Sequence, residues 1–223
     1  MPRRRQHLHE LSTELKGPWP HMKHVLKPVT LALVTALALA GCAGTPSPTA
    51  TAPATAPPTG AATGNWQLDQ AGMADRIKAA SLTVLTAEGT AEHFHAHLDV
   101  IVNREPITVP AEIGVTLGAD GKPNGISSVH THDATGIIHI EAPVVGQRYT
   151  LGQALREWGV LGDRGCFGSV CNSSAAKWAV YVDGVKAAGD ATDVALVAHE
   201  EIALVFGQAP DPIPSKYAFP EGL

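Results

Sequence analysis

Two short stretches of this chain carry histidine at alternate positions, His93-Phe94-His95-Ala96-His97 and His130-Thr131-His132, and His139 follows shortly after the second. Seven histidines follow Cys42, and six of them lie between His93 and His139. Neutral imidazole is the commonest side-chain ligand for zinc, copper and nickel. In an extended strand alternate side chains share a face, so His-x-His sets two rings side by side, roughly 6–7 Å apart at the backbone. Two such pairs on neighbouring strands offer four nitrogens to one ion. The expected ligands are His95, His97, His130 and His132. His139 is a fifth ligand or a support behind them, and His93 sits at the strand entrance. Asp133 and Glu141 are expected to orient ring N–H groups, as outer carboxylates commonly do around metal-bound histidine. His199 stands alone in a charged turn and reads as surface.

Imidazole ligands suit Cu(II), Zn(II) and Ni(II), and copper leads by intrinsic affinity. The expected cofactor is copper or zinc. There is no Met-rich tract for a Cu(I) thioether carrier, since the three methionines are Met1, Met22 and Met73. Other chemistries use the same residues. Three histidines around an ion with an open position activate water, with Glu141 as general base, which would make the protein a metal-dependent enzyme. A hydrogen-bonded histidine cluster in a non-catalytic interaction module and a proton-linked switch near pH 6–7 are the remaining readings. No His-Glu-x-x-His helix, Gly-x-Ser-x-Gly elbow or phosphate-binding glycine loop names a substrate.

The elements that must position these residues follow from periodicity. Between Leu68 and Leu85 a short helix is expected around Ala71–Ile77. Glu92–Val102 alternates as a half-buried strand, with Phe94, Ala96, Leu98, Val100 and Val102 on one face and His93, His95, His97, Asp99 and Ile101 on the other. Asn103–Pro106 turns the chain into a return strand at Ile107–Val109, placed at an edge by Pro106 and Pro110. Gly114–Gly125 reads as a loop. Val129–His132 is extended, Asp133–Gly136 a turn, and Ile137–Glu141 a strand. Thr150-Leu151-Gly152-Gln153 matches a capping box, Leu151, Ala154, Leu155 and Trp158 form an apolar stripe, and Gly159 supplies the stop. Trp178–Val182 and Ile202–Phe206 are strands, and Asp183-Gly184 is a hairpin turn. Ala209–Leu223 is expected to pack as an irregular strap.

The N-terminal region is of another kind. A basic segment precedes the apolar run Val29–Ala40, which is short for a bilayer span and ends in Leu39-Ala40-Gly41-Cys42. These four residues resemble the lipobox of bacterial lipoproteins. The resemblance implies a signal peptide at 1–41, with Met22 a possible true start, and lipidation of Cys42. It further implies attachment to the membrane on the outer face of the cell. The Thr/Ala/Pro-rich stretch 42–64 reads as a disordered tether, and 65–223 as one folded domain large enough to bury a core. After Cys42 there are 10 Lys+Arg and 19 Asp+Glu, a net of about −9 that argues against nucleic acid as a partner. A partner protein is not indicated. Outside the cytoplasm Cys166 and Cys171 are expected to form a disulfide, with a thiol metal site or a redox pair as alternatives.

The expected fold class is α+β, mainly β. From Gly136 to Gly207 the order strand, helix, strand, hairpin, strand resembles a β-grasp (ubiquitin-like) module, so the C-terminal half is expected to be β-grasp-like. The segments His95-Ala96-His97-Leu98-Asp99, His130-Thr131-His132-Asp133, Gly136–Glu141 and Thr150-Leu151-Gly152-Gln153 with Trp158-Gly159 together resemble a family of exported, His-rich prokaryotic proteins. That family brings no activity with it.

Overall fold

The computed structural model describes residues 65–163 and 165–223. The expected signal peptide, Cys42 and the expected tether lie outside the described residues. The described part is mainly β, with two α-helices, α1 (Met73–Ala79) and α2 (Leu151–Trp158), and one 3-10 turn at Ala191–Asp193. In chain order the strands are β1 (Glu92–Val102), β2 (Glu105–Ile107), β3 (Val115–Leu117), β4 (Pro123–Ile126), β5 (Val129–His130) and β6 (Ile137–Ala142). After α2 come β7 (Cys166–Phe167), β8 (Val170–Cys171), β9 (Trp178–Val182), β10 (Val185–Lys186) and β11 (Glu201–Phe206).

Strand β1 is the axis of the principal sheet, whose order is β10-β9-β11-β1-β6-β5, with β2 also paired to β1. It runs parallel to β11 and antiparallel to β6 and β2. The strict alternation of β1 gives the sheet two unlike faces. Ala96, Leu98, Val100 and Val102 join Ile138, Ile140, Ile202, Leu204 and Val180 in the main core. Helix α2 contributes Leu151, Ala154, Leu155 and Trp158 to the same core, the stripe its spacing predicts. The backbone N–H of Thr150 donates to Gln153 Oε1 at 2.9 Å, and Gly159, at φ 86°, ends the helix in the left-handed region. The opposite face carries the histidines, with a small apolar patch of Ile101, Ala203 and Val205 farther along.

Some expectations shift. The return strand is Glu105–Ile107, because Asn103 and Arg104, both at positive φ, already complete the turn. Pro106 lies in this strand, which pairs with β1 alone. The segment read as a loop at Gly114–Gly125 instead holds the β3–β4 hairpin. Its glycines hid it: a side chain on Gly125 would collide with Val84 and Thr116, so glycine here permits close packing within a strand. Cys166 and Cys171 are joined in a disulfide across the β7–β8 pair. The C-terminal residues 209–223 contain no helix or strand. Among the described residues no helix is long and apolar enough to cross a membrane.

Candidate metal centre

The register of three strands assembles the histidines. His95 on β1 lies directly opposite His139 on β6, and His139 lies directly opposite His130 on β5. One row of the sheet therefore presents three imidazoles side by side on the face away from α2. In the next row His93 is opposite Glu141. The two His-x-His segments are not neighbours: β6 runs between them, and His139 is the centre of the group rather than its support. The rings of His95 and His132 meet that of His139 edge-on, with centroids 4.6 and 4.4 Å away, and His130 stacks on it at 5.4 Å.

Within each His-x-His pair the ring nitrogens converge. His93 Nε2 and His95 Nε2 are 3.1 Å apart, and His130 Nε2 and His132 Nε2 are 3.2 Å apart. Two nitrogens bound to one tetrahedral ion at ~2.0–2.1 Å lie about 3.3–3.4 Å from each other, so each pair is close to one edge of such a site. Glu141 Oε1 is 3.3 Å from His93 Nε2 and 3.6 Å from His139 Nδ1. Glu88 Oε1 is 3.6 Å from His132 Nε2.

Burial grades the group from floor to lip. His95, His130, His139 and Glu141 are buried, whereas the side chains of His93 and His132 are 54% and 46% exposed. Burial, reinforced by the charge of neighbouring imidazoles, pushes His139 down to about 3 and His130 down to about 4. Burial and then His93 lower His95 as well. At neutral pH these rings are therefore unprotonated at one nitrogen, the state a metal requires. Burial followed by the Glu88 charge raises Glu141.

The tautomer of His130 is set from behind. Its Nδ1 lies 2.9 Å from the Ser127 carbonyl oxygen, which can only accept, so Nδ1–H donates and Nε2 offers its lone pair to the cluster. His139 Nδ1 is buried and has no hydrogen-bond partner. A ring nitrogen without a hydrogen-bond partner at the centre of an imidazole group is one that an ion could bind.

Two expected participants are placed elsewhere. His97 shares the face of His95, but its Nδ1 is 2.7 Å from Glu201 Oε2 and its Nε2 is 2.9 Å from the Thr135 carbonyl oxygen. Tyr217 stacks on the ring at 3.7 Å. Desolvation opposes its protonation, but the Glu201 hydrogen bond and charge prevail and raise it. Both nitrogens of His97 are engaged, and it falls in a group with Asp99 and Glu201, apart from the imidazole cluster. Asp133 does not orient a ring either. It is exposed, and its Oδ1 accepts from the backbone and hydroxyl of Thr135, capping its own turn. His199 is exposed, as expected, with Nε2 3.1 Å from the Leu223 carbonyl oxygen.

Sequence reasoning missed Glu88, which sits among Ala, Gly and Thr with no periodic signal. It also missed Glu201, whose only hint is its place one residue before the apolar run of β11. Among the described residues three groups could hold an ion, each with ligand atoms within 4.8 Å of one another: the overlapping His93/His95/His139/Glu141 and His130/His132/His139/Glu141, and, apart from them, His97/Asp99/Glu201. No family model, curated protein or solved structure matches this chain.

Proposed function

We propose that this chain is an exported, lipid-anchored protein that binds copper or zinc through the imidazoles of β1, β5 and β6, for sequestration, delivery or sensing. The observation that carries the reading is the convergence of two Nε2–Nε2 pairs, at 3.1 and 3.2 Å, on either side of the unpartnered His139 Nδ1. An ion bound at this nitrogen would supply the partner it lacks. The ligand set is imidazole and carboxylate, which suits Cu(II) and Zn(II). Cys166 and Cys171 are bonded to each other and supply no thiolate. Export is supported by Leu39-Ala40-Gly41-Cys42 and by the disulfide, a bond that persists in oxidising compartments.

The same reading takes the sheet as β-grasp-like. The order β6-β1-β11-β9-β10, with β1 and β11 parallel and α2 crossing after β6, supports it. On this view β1, from the first half of the chain, supplies the strand that 136–207 lacks. The residues between β1 and β6 then carry half of the site.

The test is retention of added Cu(II) or Zn(II) by the untagged full chain through gel filtration, beside the His95→Ala/His139→Ala variant. Wild type is expected to keep stoichiometric metal at pH 7 and to release it as pH falls toward 4 and 3, where protons compete for the nitrogens of His130 and His139. The variant is expected to lose the tightly held metal. Retention by the variant equal to wild type would remove the imidazole site.

A further inference from the structure

The expectation of four nitrogens around a single ion does not survive the geometry. An ion ~2.0–2.1 Å from every ligand needs all of them within about 4.2 Å of one another, twice the bond length. The two His-x-His pairs stand on β1 and at β5, with β6 between them, so their backbones are separated by two strand spacings, about 9.6 Å. No group of mutually close ligand atoms contains both pairs, yet each pair forms one with His139 and Glu141. Five imidazoles and a carboxylate are also more donors than one tetrahedral ion accepts.

We infer that the face is built for two divalent ions bridged by Glu141, an inference that rests on the metal-binding reading above. His93, His95 and His139 with one Glu141 oxygen hold the first ion. His130 and His132 with the other Glu141 oxygen hold the second, and Glu88, half exposed and 3.6 Å from His132 Nε2, completes it. Glu141 is suited to the bridge because it is buried and belongs to both groups: its Oε1 lies near His93 and His139, and a carboxylate oxygen lies within 4.8 Å of the ligand atoms of His130 and His132. Carboxylate-bridged pairs of this kind hold their ions ~3.5–4 Å apart. Two carboxylates offset part of the charge of two divalent ions, and the exposed lip at His93 and His132 admits them from solvent.

The experiment counts ions. The full chain is prepared without a tag and with His7→Ala, His9→Ala, His21→Ala and His24→Ala, so that only histidines of the folded domain contribute. It is titrated with Cu(II), desalted and measured by native mass spectrometry and electron paramagnetic resonance. Two ions are expected per chain, with a spin signal smaller than two independent Cu(II) ions give, because the carboxylate couples them. His93→Ala and His132→Ala alter half-exposed side chains and should fold normally. Each is expected to halve the stoichiometry to one ion and to restore the full signal of an isolated Cu(II). Saturation at one ion in the parent chain would overturn the paired site and leave the metal-binding reading standing. Two ions retained by both variants would place the second ion elsewhere and equally overturn it. A parent chain that binds no Cu(II) would remove the metal-binding reading itself.

Discussion

His95 and His97 are two residues apart on one face of one strand, and their neighbours give them opposite roles. His95 meets His139 across the β1–β6 pair, whereas His97 meets Glu201 across the β1–β11 pair. The Thr135 carbonyl fixes a proton on His97 Nε2, and a second proton is shared between Nδ1 and Glu201 Oε2, so no lone pair is left for an ion. His97→Ala leaves a buried carboxylate without its partner and is expected to destabilise the fold by about 3–5 kcal/mol. Its metal stoichiometry should stay at the wild-type value. Denaturant unfolding and metal analysis of the same sample check both halves, and loss of metal from a folded His97→Ala protein would return His97 to the site. Nothing in the residue types of His93-Phe94-His95-Ala96-His97 separates the three histidines. The separation comes from which strand lies beside each, and that depends on pairings more than forty residues away in sequence.

At the scale of elements, the site is held from below by helix α2. Glu157 is fully buried on this helix, and Ser127 Oγ donates to its Oε1 at 2.6 Å. The carbonyl of the same Ser127 receives His130 Nδ1–H, so α2 is coupled through one residue to the orientation of a ligand. Burial pushes the Glu157 carboxyl up to about 8. Its folded value exceeds the unfolded one, so its contribution is complete below about pH 4.5 and is lost as pH rises through 8. Glu157→Gln should therefore gain on wild type as pH rises from 5 to 9, seen as a growing difference in thermal midpoint. His130 and His139 act in the other direction, since their folded values of about 4 and about 3 lie below the unfolded 6.5. Their contribution is present above about pH 6.5 and is lost as pH falls toward 4 and 3. His97, Glu141, Glu200 and Glu201 are raised and oppose this trend, so the metal-free midpoint of Glu157→Gln should fall more steeply from pH 6.5 to 4 than that of Glu157→Gln/His130→Ala/His139→Ala. Equal acid limbs in the two would contradict the burial of neutral imidazoles. The elements themselves were largely legible: β1, α2, β6 and β9 follow from alternation, the capping box and apolar runs. The β3–β4 hairpin was not, because Gly118, Gly121 and Gly125 give the composition of a loop, whereas Gly118 and Gly121 only turn the chain and Gly125 packs closely within β4. Strand order was also beyond reach, so the two His-x-His segments could be proposed as neighbours when β6 in fact divides them.

Across the whole molecule, the sheet sorts its two faces by task, a hydrophobic core under α2 on one side and an imidazole surface on the other. Everything after Cys42 carries a net of about −9, which favours the approach of cations. An ion that binds the folded but not the unfolded chain stabilises it by about 2.7 kcal/mol at a free concentration 100 times its dissociation constant. For a domain of this size that corresponds to a rise in thermal midpoint of roughly 5–10 °C. Zn(II) is expected to give such a rise, increasing with concentration and absent in His95→Ala/His139→Ala. The central claim is spatial, and anomalous diffraction from crystals of the Zn(II)- or Cu(II)-loaded protein, recorded at the metal edge, tests it most directly. The account predicts strong peaks beside Glu141, within about 2.0–2.2 Å of imidazole nitrogens of His93, His95, His130, His132 or His139. Peaks confined to the His97–Asp99–Glu201 group, or no peak on the histidine face in metal-loaded crystals, would contradict it.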